Sequence, residues 1–228
     1  MNTFLVGGVP VALWLPVRAD NESVPLVLFG HGGTHHKTHE AVVAKAERLV
    51  AQCGAAVAVI DGPVHGERLL SGDPDDRETV WAAYQAYLAS KDKGVLASEV
   101  VADWQKVIDA LVERPDIDAT RIGYWGLSMG SRFGIPLLAA ESRIKVAVIG
   151  LIGTNAGPYI AEAAKAITIP LRCIDNLDDE LFPIAGGYEL FNALASPDKR
   201  LTVVPGAHGD IPDDELDRLY AFLEDGLA

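Results

Sequence analysis

Short, nearly unbroken apolar runs alternate with helix-spaced segments along almost all of this chain, and that rhythm limits the folds open to it. Residues 25–30 (PLVLFG), 55–60, 121–125, 145–149, 169–174 and 201–204 are each too short for a typical helix and show little polar alternation. A strand that is apolar on both sides must be covered on both sides, which is the condition of a strand inside a parallel sheet. Residues 40–52, 97–113, 129–141, 184–195 and 213–224 fall between or after these runs with apolar positions at helical spacing. Val43, Ala46, Leu49 and Val50 make one such stripe. The alternation predicts an α/β fold with a mostly parallel central sheet and helices on both faces. Ahead of it, residues 4–6 and 9–15 flank Gly7-Gly8, a pair that suits a primed turn. An N-terminal antiparallel hairpin is therefore expected, with Pro10 on an edge strand. No repeat, low-complexity tract or linker breaks the pattern, so residues 1–228 are expected to form one domain.

Composition narrows the function classes. With 49% apolar and 22% charged residues over 228 positions, the chain can bury a sizeable core. Its 19 basic and 32 acidic residues leave a net charge of −13, so it lacks the basic footprint of a nucleic-acid binder. An anionic membrane surface would repel it. Much of the acid gathers at residues 210–225, where only Arg218 opposes it, and reads as a solvated helix face. Cys53 and Cys173 are too few for a disulfide framework and are expected to be buried free thiols. The opening residues Met1-Asn2-Thr3-Phe4 have no positive n-region, and the apolar stretch at 9–17 is broken by Pro10 and Pro16. A cytoplasmic protein is expected, with no nucleic-acid or membrane partner; a homodimer is compatible with the sequence.

Residues 67–96 fit the alternation least well. A turn-rich piece at 71–76 precedes Trp81, Tyr84, Tyr87 and Leu88 at helical spacing. Two readings stand: a helix packed on the core, and a small cap over a pocket.

The chemistry concentrates after the strands. Gly126-Leu127-Ser128-Met129-Gly130 follows the run 122–125 and precedes a helical stretch at 133–140. A tight strand-to-helix turn lifts the serine hydroxyl out at the top of a sheet, and glycines allow the close backbone approach this needs. The following helix N-terminus places positive partial charge where an oxyanion would form. Phe29-Gly30-His31-Gly32-Gly33 ends another strand and can supply a second backbone donor facing the serine. Met129 and Gly33 are the expected oxyanion donors, with Gly32 and Thr34 as alternatives, while His31 is expected to orient the loop. His208, in Gly206-Ala207-His208-Gly209, can accept the serine proton and return it to a leaving group. A carboxylate after the 169–174 strand would hold that histidine's tautomer. Asp179, four residues before Pro183, is favoured, Asp178 is second and Asp175 third.

Serine, acid and histidine, in that order and each after a strand, belong to one fold class. On these residues the chain resembles the α/β-hydrolase superfamily over almost its whole length, most nearly its dienelactone-hydrolase-like and small bacterial carboxylesterase members. The stretch from Asp103-Trp104 through Pro115-Asp116-Ile117-Asp118 to Arg121-Ile122-Gly123 carries part of the likeness, which prolyl-oligopeptidase-type catalytic domains share. Asp61-Gly62-Pro63-Val64-His65-Gly66 resembles a family loop that usually reads Asp-x-x-Gly-His-Gly, with Val64 in place of the glycine. The resemblance implies a serine hydrolase acting on carboxylic esters of small or medium size through an acyl-enzyme on Ser128, His208 and Asp179. Dienelactone hydrolases carry cysteine where this chain has Ser128, which turns the expectation toward general ester chemistry. About 25 residues precede the 25–30 strand, too few for the extra domain of a prolyl oligopeptidase. A lactonase, thioesterase, C–C hydrolase or biosynthetic cyclase on the same fold is the alternative, and a non-catalytic binding protein a third reading.

Other residues carry weaker signals. Thr34, His35, His65, Trp81 and Tyr84 are candidates to line a substrate pocket, although His65 reads first as a structural residue and an aromatic stripe at helical spacing more often belongs to the core; Glu67 and Arg68 could touch a polar substrate. His31, His35, His36 and His39 could suggest a metal site, but they lack the carboxylate or thiol partners that such spacing usually needs. No metal and no organic cofactor are expected, and the partner is a small-molecule ester.

Overall fold

The computed structural model describes residues 1–17 and 22–228. Eight strands form one sheet in the order β1-β2-β4-β3-β5-β6-β7-β8. They are β1 (Asn2–Val6), β2 (Val9–Trp14), β3 (Val24–Gly30), β4 (Ala56–Ile60), β5 (Ile117–Leu127), β6 (Ile144–Gly150), β7 (Leu171–Asn176) and β8 (Lys199–Val204). β1 and β2 form the expected hairpin; β2 joins β4 antiparallel, and every later pairing is parallel. Pro10 is not on an edge strand as expected: β2 lies between β1 and β4, with Pro10 opposite Leu5 of β1 and the register with β4 beginning only at Val11, so the missing N–H falls at the end of that ladder.

The helices are α1 (Glu40–Cys53), α2 (Arg77–Ser90), α3 (Lys93–Val112), α4 (Met129–Ala140), α5 (Pro158–Ala164), α6 (Ile184–Ala193) and α7 (Asp213–Leu227). One face of the sheet packs on α3, α4, α5 and α6 through residues such as Leu28, Tyr124, Trp104, Ile108, Phe133 and Ile160. The other packs on α1 and α7 through Val27, Trp125, Leu49, Tyr220 and Leu223, with the Trp125 and Tyr220 rings stacked at 4.7 Å. This double cover is why β3, β4 and β6 are apolar on both sides.

Element boundaries differ from the sequence reading where local chemistry intervenes. α3 begins at Lys93 rather than 97, because the Asp92 carboxylate caps it by accepting the Gly94 and Val95 N–H groups at 2.9 and 3.3 Å. β5 begins at Ile117 rather than 121, and its pairing with β3 shifts register between Val24 and Leu26. α5 was not foreseen; it is a seven-residue helix opened by Pro158, too short for periodicity to reveal. Cys173 is buried as expected, whereas Cys53 is half-buried, with its thiol 3.8 Å from the Tyr220 carbonyl. Among the described residues no helix is long and apolar enough to cross a membrane.

Candidate active site

Loops at the C-terminal ends of β3, β4, β5, β7 and β8 converge, which is where open parallel sheets place ligands. After β5 the chain turns sharply into α4. Ser128 sits in this turn at φ 57°, ψ −115°, a conformation that a non-glycine residue rarely adopts. The turn is possible because Gly30 and Gly130 touch. A Cβ on Gly130 would lie 2.3 Å from the Gly30 carbonyl oxygen. Two residues that the sequence reading did not single out hold the turn. Ser131 Oγ lies 2.7 Å from both the Gly126 and Gly150 carbonyls and accepts the Gly150 N–H, and the Tyr124 hydroxyl donates to the Gly130 carbonyl at 2.7 Å.

His208 reaches this serine from the loop after β8. Its Nε2 is 2.8 Å from Ser128 Oγ, and its Nδ1 is 2.7 Å from Asp179 Oδ2. Asp179 Oδ1 accepts the Leu181 and Phe182 N–H groups, both at 2.8 Å, so the carboxylate is held from both sides. Because a carboxylate oxygen faces Nδ1, that nitrogen carries the proton in the neutral ring and Nε2 is free to accept the hydroxyl proton. The two other acids lie elsewhere. Asp178 Oδ2 accepts only a long 3.4 Å bond from Gly206 N, and Asp175 Oδ1 accepts from Leu151 N at 2.7 Å. Burial pushes Asp175 up to about 6. Asn176, at the end of β7 and fully buried, was also missed. Its side chain accepts the Gly209 N–H at 3.0 Å and donates to the Asp210 carbonyl at 2.8 Å, clamping the His208 loop. One isolated asparagine carries no sequence signal for such a role.

The loop after β3 is fixed from behind. His31 is held neutral by burial; its Nδ1–H donates to the Gly32 carbonyl and its Nε2 accepts the Gly62 N–H at 2.9 Å. Lys37 and Asp61 form a buried ion pair, extended by Glu67. The N–H groups of Gly32, Gly33 and Thr34 make no hydrogen bond among the described residues. Met129 opens α4, whose first amides have no acceptor within the helix.

Two clefts meet at Ser128. The larger, about 710 Å³, is lined by Thr34, His35, Lys45, Arg77, Glu78, Trp81, Glu180, His208 and Leu216, among others. The smaller, about 420 Å³, includes Tyr84, Lys93, Met129, Arg132, Asn155 and Phe182. Gly33, Trp81, Ser128 and Leu181 border both. The 67–96 stretch contributes through α2, which brings Arg77, Glu78 and Trp81 to the larger cleft and Trp81 and Tyr84 to the smaller.

Of the pocket candidates, Thr34, His35, Trp81 and Tyr84 line the clefts, whereas His65, Glu67 and Arg68 do not. His65 borders neither cleft; it is fully buried, with ring nitrogens 2.6 Å from the Pro63 carbonyl and 3.0 Å from the Gly33 carbonyl. Glu67 and Arg68 also lie away from the clefts. Glu67 pairs with Lys37, and Arg68 with Asp103 at 2.8 Å. Three of the clustered histidines hold backbone or acid partners: His31 as above, His36 bonded to Asp75 at 3.0 Å, and His39 capping α1 by accepting the Ala41 N–H. His35 faces the larger cleft, held at about 4 by burial and then by the charges of His39 and Lys45. Val64, where the family loop usually has glycine, sits at φ 58°, a strained position for a β-branched residue.

No protein-family model matches the chain, and no curated protein matches it. Among solved structures, a cold-adapted esterase from an Arctic intertidal metagenomic library, solved in a PEG-bound complex, is 34% identical. That alignment covers 100% of this chain and 93% of that one, with a TM-score of 0.80. Dienelactone hydrolase from Anabaena variabilis is 22% identical over 100% of this chain and 97% of that one, with a TM-score of 0.71. The Pyrococcus furiosus esterase Pf2001 is 19% identical over 99% and 91%, with a TM-score of 0.70. The last two speak for the fold alone; the first, with its identity over the full length, joins the sheet order and the turn at Ser128 to one conclusion: the chain belongs to the α/β-hydrolase superfamily.

Proposed function

We propose that the protein is a serine hydrolase that cleaves carboxylic esters of small or medium size through an acyl-enzyme. The observation that carries this reading is the unbroken relay from Ser128 Oγ to His208 Nε2 (2.8 Å) and from His208 Nδ1 to Asp179 Oδ2 (2.7 Å), with Ser128 open to two clefts. His208 Nε2 takes the Ser128 proton as Oγ attacks the ester carbonyl carbon. The carbonyl electrons move onto oxygen, which receives N–H bonds from Met129 and from the Gly33 loop. His208 Nε2–H then protonates the departing alcohol oxygen. A water molecule, deprotonated by the same nitrogen, attacks the acyl-enzyme and frees the acid and Ser128. Asp179 stabilises the imidazolium formed in each half-reaction. None of these steps draws on a metal or an organic cofactor.

The similarity to an esterase at 34% identity over the whole chain supports ester hydrolysis. Incubation with a fluorophosphonate probe and peptide mapping tests the reading. Labelling is expected at Ser128, with none in Ser128→Ala and a large loss in His208→Ala. A folded protein that takes no label would sink it. Parallel assays on acyl esters, thioesters and lactones would separate esterase activity from its alternatives on the same fold.

A further inference from the structure

The smaller cleft beside Ser128 contains positive charge with no acid to answer it. Arg132, one turn into α4 from the serine, is only 7% exposed. Its guanidinium donates to the Ala156 carbonyl at 3.1 Å and to the Tyr159 hydroxyl at 3.4 Å, and lies 5.8 Å from the Phe182 ring centroid. No carboxylate pairs with it among the described residues. Lys93, on the rim of the same cleft, is likewise without an ion pair, and no Asp or Glu lines the cleft. Buried arginines are ordinarily paired. In a chain with 32 acidic residues, the missing partner is not explained by a shortage of acids.

A second group points the same way. Tyr84 lines this cleft at 4% exposure, and its buried hydroxyl lies beside the Arg132 guanidinium, a donor only, with no acceptor for its own O–H among the described residues. A buried hydroxyl left unpaired costs free energy unless a ligand supplies the partner. The larger cleft has no such bias, since its lining holds Glu78 and Glu180 as well as Lys45 and Arg77.

The two clefts also differ in which half of an ester each can take. The departing oxygen must reach His208 Nε2, and His208 lines the larger cleft but not the smaller. The alcohol half therefore occupies the larger cleft and the acyl half the smaller.

We propose that the smaller cleft is an acyl subsite for a carboxylate, so that the preferred substrates are half-esters of short dicarboxylic acids. Arg132 receives the distal carboxylate, Tyr84 donates its hydroxyl to it, and Lys93 adds charge at the rim. This assignment rests on the serine-hydrolase reading above. In the reaction the ester C–O bond breaks and a water oxygen joins the acyl carbon. The alcohol leaves with one water hydrogen, the other is released as a proton, and the distal carboxylate is unchanged.

The test compares methyl hydrogen glutarate with methyl pentanoate, which matches its chain length without the charge, by release of methanol. For the wild type, kcat/KM for the half-ester is expected to be higher by about 10- to 100-fold, the range of a hydrogen bond to a charged group. In Arg132→Gln that ratio falls toward one, whatever happens to absolute turnover. Tyr84→Phe removes only a hydroxyl that has no acceptor among the described residues, so it should fold, and its ratio should fall severalfold through the half-ester alone. If the wild type turns over methyl pentanoate and is labelled at Ser128, but its ratio is near or below one, the subsite assignment is wrong and the esterase reading stands. Equal losses on both esters in the variants would also overturn the subsite, by giving Arg132 a structural role. If neither ester is cleaved and no label is taken, both readings fall.

Discussion

Lys37 and Asp61 form an ion pair that is cut off from solvent on both sides, with side-chain exposures of 2% and 0% and an Nζ to Oδ2 distance of 2.7 Å. The same carboxylate accepts the Lys37 N–H at 2.8 Å and the Glu67 N–H at 2.9 Å. One buried side chain thus ties the loop after β3, which carries Gly33, to the loop after β4. Removing one partner of such a pair leaves an uncompensated buried charge, at a cost of about 3–5 kcal/mol. Lys37→Met is expected to lower the unfolding free energy by that amount in urea titrations. A loss below about 1 kcal/mol would mean that Asp61 finds water or another partner.

Asp179→Asn should leave the fold in place and disable the relay. The amide oxygen can still accept the Leu181 and Phe182 N–H groups, but its NH₂ then faces His208 Nδ1. That arrangement puts the ring proton on Nε2, where it cannot accept from Ser128. A drop in kcat of about 10⁴ is expected on an ester substrate. Asp178→Asn, whose carboxylate makes only a 3.4 Å bond to Gly206 N, should stay within a few-fold of the wild type. The reverse ranking would reassign the acid.

Gly130→Ala probes the turn that presents Ser128. The added Cβ would lie 2.3 Å from the Gly30 carbonyl oxygen and 2.9 Å from its carbon, both backbone atoms that cannot swing aside. Overpacking of this kind costs about 1–3 kcal/mol. The expected result is a lower melting temperature together with weaker fluorophosphonate labelling, since β3 and α4 must separate. Unchanged labelling would show that the turn tolerates the shift.

Asp175 makes stability depend on pH. Burial raises it from its ordinary 3.8 to about 6, against the Leu151 N–H that favours its charged form. The folded state therefore holds this proton more tightly than the unfolded chain between these values. Stability from this group is present toward the acid end, falls as pH rises from about 4 to 6, and stays lower above, by up to about 3 kcal/mol. Asp175→Asn removes that slope while keeping an acceptor for Leu151. The difference in melting temperature, variant minus wild type, should be more favourable at pH 8 than at pH 4.5; equal differences at both would count against it.

The sheet, the hairpin and the three strand-end loops bearing Ser128, Asp179 and His208 could be read from local pattern, because a doubly covered strand must be apolar on both faces and a serine between glycines after such a strand has few other conformations. Local pattern did not reach the loop clamps. Asn176 and Ser131 bond residues 19 to 34 positions away, Tyr124 closes the turn over six residues, and single polar residues inside apolar runs look alike whatever they bond. His65 shows the same boundary: its place in the loop left a structural and a pocket role both open, and burial against the Pro63 and Gly33 carbonyls gave it the structural one. Sequence by itself determined the layer order, the turn at Ser128 and the chemical types able to form a relay, since these follow from periodicity and backbone sterics within a few residues. Only the tertiary structure decided which aspartate meets His208, which histidines face a cleft, and that Arg132 lies buried beside Ser128 with no acid paired to it among the described residues. Those outcomes depend on distances between segments 20 to 100 residues apart, which packing sets and spacing along the chain does not.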